Sequence, residues 1–139
     1  MTAIGTIVVA YDDSEQSRRA LDRAATLAKA LAARLVVTTV APVTASTGHS
    51  LGADPVEGAA EHRSELAAAR AFLNGEGLSA DYVEALGHPA AGIVAAAEEQ
   101  SADLIVLGAR DLSHVQRLLG QSVSDAVSHG ARCDVLLVH

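Results

Sequence analysis

The stretch IGTIVVA, Ile4 to Ala10, is an unbroken apolar run weighted to Ile and Val. A strand with one wet face alternates polar and apolar residues, whereas a run without alternation is buried on both faces and belongs in the middle of a helix-covered sheet. The residues that follow supply such a helix. From Ser14 to Ala33 the apolar positions Ala20, Leu21, Ala24, Ala25, Leu27, Ala28 and Leu31 recur at helical spacing, and Glu15, Arg18, Arg19, Asp22, Arg23 and Lys29 fill most of the other side.

The same alternation continues along the chain. Leu35 to Ala41 is a second β-branched run closed by Pro42, and Glu57 to Asn74 reads as a helix stopped by Gly75 to Gly77. Ala80 to Leu86 alternates more, as a less central strand does. Pro89 to Ser101 reads as a helix with proline in its first turn, Asp103 to Leu107 as a strand, Gly120 to His129 as a helix, and Asp134 to Val138 as a last strand. Strands alternating with helices predict an α/β fold: a doubly wound parallel sheet with right-handed crossovers and helices on both faces. At 139 residues the chain reads as a single domain, 1–139, with one core and one site. Val43 to Pro55, rich in Thr, Ser, Gly and Ala, is long for a connection and reads as a lid or as disordered.

Charge and composition exclude several functions. A formal net charge of -7 without a basic cluster argues against nucleic acid or an anionic membrane surface as a partner. The chain shows neither a spanning apolar run nor a signal-like leader, so it is expected in the cytoplasm. The single Cys133 fits a reducing compartment and reads as a small buried hydrophobe. The six histidines show no close pair at metal-ligand spacing, and no Ser nucleophile elbow or Gly-Lys-Ser/Thr phosphate loop is present, so no enzyme is expected.

The first strand runs out at two adjacent carboxylates, in VVAYDDSEQS. Asp13 or Ser14 can cap the following helix, with Gln16 or Ser17 reaching back, and capping needs only one of the acids. Asp12 is then left over. In open α/β sheets, ligands bind beyond the carboxyl ends of the strands where strand order reverses, and Asp12, Val40 and Gly108 all lie at that edge. Paired acids also follow the first strand of phosphoryl-accepting receivers. That chemistry, however, needs an aspartate after the third strand and a lysine after the fifth, where this chain has Glu84, Ala85, Leu86 and His139.

VVAYDDSEQSRRAL, the later GARDLSHVQRLLGQSVSDAV from Gly108 to Val127, and the closing CDVLLV together resemble the universal stress protein family over nearly the whole chain. The resemblance implies a five-stranded parallel sheet of the adenine nucleotide alpha hydrolase-like type. It also implies, for one branch of the family, ATP held by Gly, two residues, Gly, nine residues, Gly, then Ser or Thr. On this chain Gly108 matches the first glycine and Ser122 the hydroxyl, but Asp111 and Gln121 stand at the other two glycine positions. The resemblance gives Asp12 the ribose side and the backbone of Val40 the adenine. Ala10, Val123 and Ser124 complete the candidate set together with Arg110 and Gly120; Arg110 and Arg117 are cations able to reach phosphate oxygens.

The departures have a physical consequence. Glycine lets the backbone approach a phosphate, and Asp111 offers neither that freedom nor the right sign. A carboxylate about 5 Å from a phosphate charge at an effective dielectric of about 20 is repelled by roughly 3 kcal/mol. A micromolar ligand has only about 8 kcal/mol in total. The expectation is therefore an adenine-nucleotide pocket in which ATP is weakened or lost, with no cofactor at all as the limit. The alternative is an ATP-dependent switch in which Mg²⁺ bridges Asp111 to phosphate. The resemblance also puts Asp134 to Val138 at the sheet edge, and so apolar an edge predicts a homodimer through Val135 to Val138. Any other protein partner is left unidentified by the sequence.

Overall fold

A computed structural model describes residues 3–42, 55–109 and 123–139. Their elements run β1 (Thr6–Ala10), α1 (Glu15–Leu31), β2 (Arg34–Pro42), α2 (Pro55–Gly75), β3 (Asp81–Gly87), α3 (Pro89–Glu99), β4 (Leu104–Gly108), α4 (Val123–Gly130) and β5 (Asp134–Val138). The strands form one parallel five-stranded sheet in the order β3-β2-β1-β4-β5. Val43 to Asp54 and the stretch Arg110 to Ser122 lie outside the described residues.

The unbroken apolar run becomes the central strand, as its pattern requires. Ile7, Val8 and Val9 have no exposed surface, nor do Ile105 and Val106 beside them on β4. Each such side chain contributes about 1.5–3 kcal/mol relative to its exposed state. One face of the sheet packs Ile7, Val9, Leu35 and Val37 against Ala20, Leu21, Ala24 and Ala28 of α1 and Ala69 and Leu73 of α2. The other packs Val8, Val36 and Ile105 against Ile93 and Ala97 of α3 and Val127 of α4. The small alanines on α1 let helix and sheet approach closely. Leu31, assigned by its spacing to the buried stripe, is instead exposed, because α1 stops there and Ala32 turns the chain through the left-handed region at φ 52°. Cys133 is only partly buried; it packs at the margin of the α3–α4 cluster, where burial raises its thiol pKa.

The strand order places a reversal between β1 and β4. The chain moves outward from β1 through β2 to β3, with α1 and α2 on one face, and then returns to β4 and β5 with α3 and α4 on the other. A crevice at the carboxyl ends of β1 and β4 follows from that topology.

Candidate functional site

Beyond Ala10 the chain turns tightly into α1, and local hydrogen bonds determine the turn. The Tyr11 amide donates to the Thr38 carbonyl at 2.9 Å, carrying the β1–β2 pairing one residue further. Asp12 Oδ1 accepts the Ser14 amide at 3.0 Å, and the Asp12 amide donates to Ser17 Oγ at 3.2 Å. Ser14 is the N-cap: its Oγ accepts the Ser17 amide at 3.1 Å, and Ser17 Oγ donates to the Ser14 carbonyl at 3.0 Å. Ser17 is thus the residue that reaches back, and Ser14, not Asp13, caps the helix. Asp12 is not left over either, since one of its oxygens closes the turn. A carboxylate presents about four lone-pair sites, so the bond to the Ser14 amide does not by itself fill them.

Asp13 has a different task. Its φ of 63° lies in the left-handed region that side chains with a Cβ avoid. Its Oδ1 accepts the Tyr11 hydroxyl at 2.7 Å and Arg18 Nη2 and Nε at 3.0 and 3.2 Å. Tyr11 is buried, and burial first, then the bond to Asp13, pushes its phenol up to about 12. The Tyr11 and Arg18 bonds hold the Asp13 carboxyl below its ordinary value. Exposed ion pairs contribute little by themselves, so the buried phenol is the stronger tether. Sequence reasoning missed this trio; the one signal available was a tyrosine where the apolar run ends.

Gly108, at the end of β4, is the second fixed point. A Cβ built there would lie 2.6 Å from the Gln16 carbonyl carbon and oxygen and 2.7 Å from Gln16 Cβ. The first turn of α1 therefore fills the space that a side chain would need, and Gly108 serves helix packing. Ala109 continues past it, its amide donating to the Val138 carbonyl at 2.8 Å.

The fold brings Ala10 and Asp12, Val40 and Gly108 to the same edge, on or just past β1, β2 and β4, which are neighbours in the sheet. Ala10 and Val123 pack against one and the same apolar cluster, on the α3–α4 face. Ser124 follows Val123 in α4 and is partly buried. Arg110, Asp111, Arg117, Gly120, Gln121 and Ser122 lie outside the described residues, and so does the phosphate side of the expected pocket. Among the described residues no group of three His, Cys, Asp or Glu side chains is arranged to hold a metal ion.

Fold and site define a doubly wound α/β protein with an acid-bearing turn at its switch point. The model of the universal stress protein family matches residues 3–139, and the chain belongs to that family. It is 37% identical over 134 residues to a universal stress protein of Thermus aquaticus, covering 96% of this chain and 97% of that one. It is 34% identical over 143 residues to the universal stress protein YxiE of Bacillus subtilis, covering 95% and 97%. Among solved structures, a universal stress protein in complex with cAMP is 30% identical and superposes with a TM-score of 0.81 over 99% of both chains.

Proposed function

We propose that this chain is a non-enzymatic cytoplasmic stress-response module that holds an adenine nucleotide in the crevice between β1 and β4 and tolerates a long phosphate chain poorly. The observation that carries the reading is the position of Asp12: an acceptor carboxylate, in a turn held by Ser14, Ser17 and the Tyr11 amide, at the edge where such folds bind ligands. The related protein solved with cAMP supports it, because that ligand is an adenosine carrying a single phosphate. Asp12 accepts from the ribose, the Val40 backbone meets the base, and Asp111 opposes the charge of further phosphates.

Calorimetric titration with cAMP, AMP and ATP tests this. The expected order has AMP and cAMP binding, and ATP without Mg²⁺ weaker by roughly a hundredfold, the equivalent of about 3 kcal/mol. No heat from any adenine nucleotide at millimolar concentration would refute the pocket. ATP as the tightest ligand without Mg²⁺ would refute the phosphate argument, and recovery of ATP on adding Mg²⁺ would favour a bridged Asp111.

The second part of the proposal is a homodimer through Val135 to Val138. β5 lies at the sheet edge, with Val135, Leu136 and Leu137 only partly covered. Light scattering at micromolar concentration is expected to give the mass of two chains; the mass of one removes this part.

A further inference from the structure

At Asp13 the β1–α1 turn holds a backbone conformation that glycine adopts freely and a residue with a Cβ resists, φ 63°. The bond that closes the turn spans this residue: Asp12 Oδ1 on one side of it accepts the Ser14 amide on the other, at 3.0 Å. Returning Asp13 to the common helical or extended regions swings the Ser14 amide away from that oxygen, and Ser14 is also the cap of α1. Strain of this kind lasts only where surrounding contacts over-determine it, and it gathers at ligand-binding turns.

The contact that holds Asp13 comes from the core. Tyr11 is fixed at two points, by its amide on the Thr38 carbonyl at 2.9 Å and by its buried ring, which belongs to the cluster containing Val9, Leu21 and Val37. From that anchorage its hydroxyl donates to Asp13 Oδ1 at 2.7 Å, a short bond to a charged acceptor. Arg18 reaches the same oxygen at 3.0 Å, but both members of that pair are exposed, so it adds little. The strained residue is therefore tied to the sheet through one phenol.

We infer that Tyr11 and Asp13 are positioning residues for nucleotide binding: the Tyr11 hydroxyl, through Asp13 Oδ1, holds the turn in the conformation in which Asp12 receives the ligand. The inference rests on the adenine-nucleotide reading, in which Asp12 accepts from the ribose, and adds to it two residues that act without touching the nucleotide. Once the tether is cut, the turn divides its time between this conformation and relaxed ones. Apparent affinity then falls with the fraction of chains left in the competent state. Glycine at 13 needs no tether, because positive φ is relaxed for it.

That difference between glycine and every other residue supplies the test. Asp13→Ala removes the tether and keeps the Cβ, whereas Asp13→Gly removes both. Affinity for cAMP and AMP is measured by calorimetry, on proteins that circular dichroism shows to be folded at the assay temperature. Asp13→Gly is expected to bind about five- to tenfold more tightly than Asp13→Ala, the scale of the left-handed penalty on a residue with a Cβ. Tyr11→Phe is expected to weaken binding by about three- to tenfold in the wild-type chain, and by less than about twofold in the Asp13→Gly chain, where the hydroxyl has nothing to hold. Equal affinities for Asp13→Gly and Asp13→Ala overturn this inference and leave the pocket standing. So does a loss on Tyr11→Phe of the same size in both backgrounds, or a Tyr11→Phe protein that melts lower yet binds as wild type does, since the hydroxyl then serves stability alone. Wild type that binds neither nucleotide at millimolar concentration removes the pocket itself, and this inference with it.

Discussion

Replacing Gly108 by alanine adds one carbon at a place the structure makes unusually specific. That carbon would stand 2.6 Å from the carbonyl carbon and oxygen of Gln16, short of the 3.4 Å at which ordinary contact begins, so the first turn of α1 has to retreat by about 0.8 Å. The obstacle is backbone, so no rotamer relieves it. Gln16 sits between Ser14 and Ser17, whose bonds hold the Asp12 turn, and a retreat there pulls against the cap as well as the packing. Overpacking of this kind costs about 1–3 kcal/mol. For a chain of 139 residues that corresponds to a fall in Tm of roughly 3–10 °C, read by circular dichroism or calorimetry. Because the displaced turn carries Asp12, affinity for cAMP should fall together with stability. Gly75→Ala is the control, since a Cβ there meets nothing within 4 Å and the change should be near neutral or slightly stabilising. A Gly108→Ala protein that melts within about 1 °C of wild type would refute the packing role.

Two further outcomes concern backbone and charge. Ala32 ends α1 at φ 52°, where only glycine is relaxed, and it is exposed; Ala32→Gly should stabilise by about 1 kcal/mol and raise Tm by roughly 3 °C, and a lower Tm would contradict that. The Asp13 carboxyl is held low by Tyr11 and Arg18, so its ionised form contributes stability that is fully present above about pH 4 and is lost as the pH falls through the lower folded value. Asp13→Asn keeps a residue that tolerates the left-handed backbone but lacks that charge, so the Tm gap between wild type and variant should be open at neutral pH and close on acidification. A gap of constant size down to about pH 3 would show that Asp13 is not tethered as described.

The sheet and its order of elements were readable from the sequence because buried parallel strands leave a strong signal in unbroken runs such as Ile4 to Ala10. The helix ends were less so. α1 was expected to reach Ala33 and α3 to reach Ser101, but Ala32 and Ser101 have φ of 52° and 55°, and neither residue type announces a left-handed turn as glycine does. The same reason hid the inner logic of the β1–α1 turn. Asp13 occupies a conformation suited to glycine because Tyr11, from inside the core, and Arg18, one turn into the helix, hold its carboxylate. That arrangement depends on three side chains meeting in space, whereas Asp12 could be located from the end of a strand alone.

Gly108 illustrates a different limit, one that bears on how the phosphate-binding pattern is read. The pattern counts glycine at 108 as its first element, on the ground that a bare backbone can approach phosphate. In the folded chain the missing side chain makes room for Gln16, so glycine is demanded there by the docking of α1 on β4 whether or not a nucleotide is ever bound. A match at 108 therefore carries no weight in favour of a triphosphate. What weight the pattern has must come from its other positions, and those hold Asp111 and Gln121 where glycines belong. In the proposed pocket the acid turn at Asp12 bears instead on the ribose, and it lies in residues the structure describes. The nucleoside and the phosphate chain thus meet different residues in that proposal, so replacing Asp12 with alanine should weaken adenosine, cAMP and ATP alike, while replacing Asp111 with glycine should change ATP most.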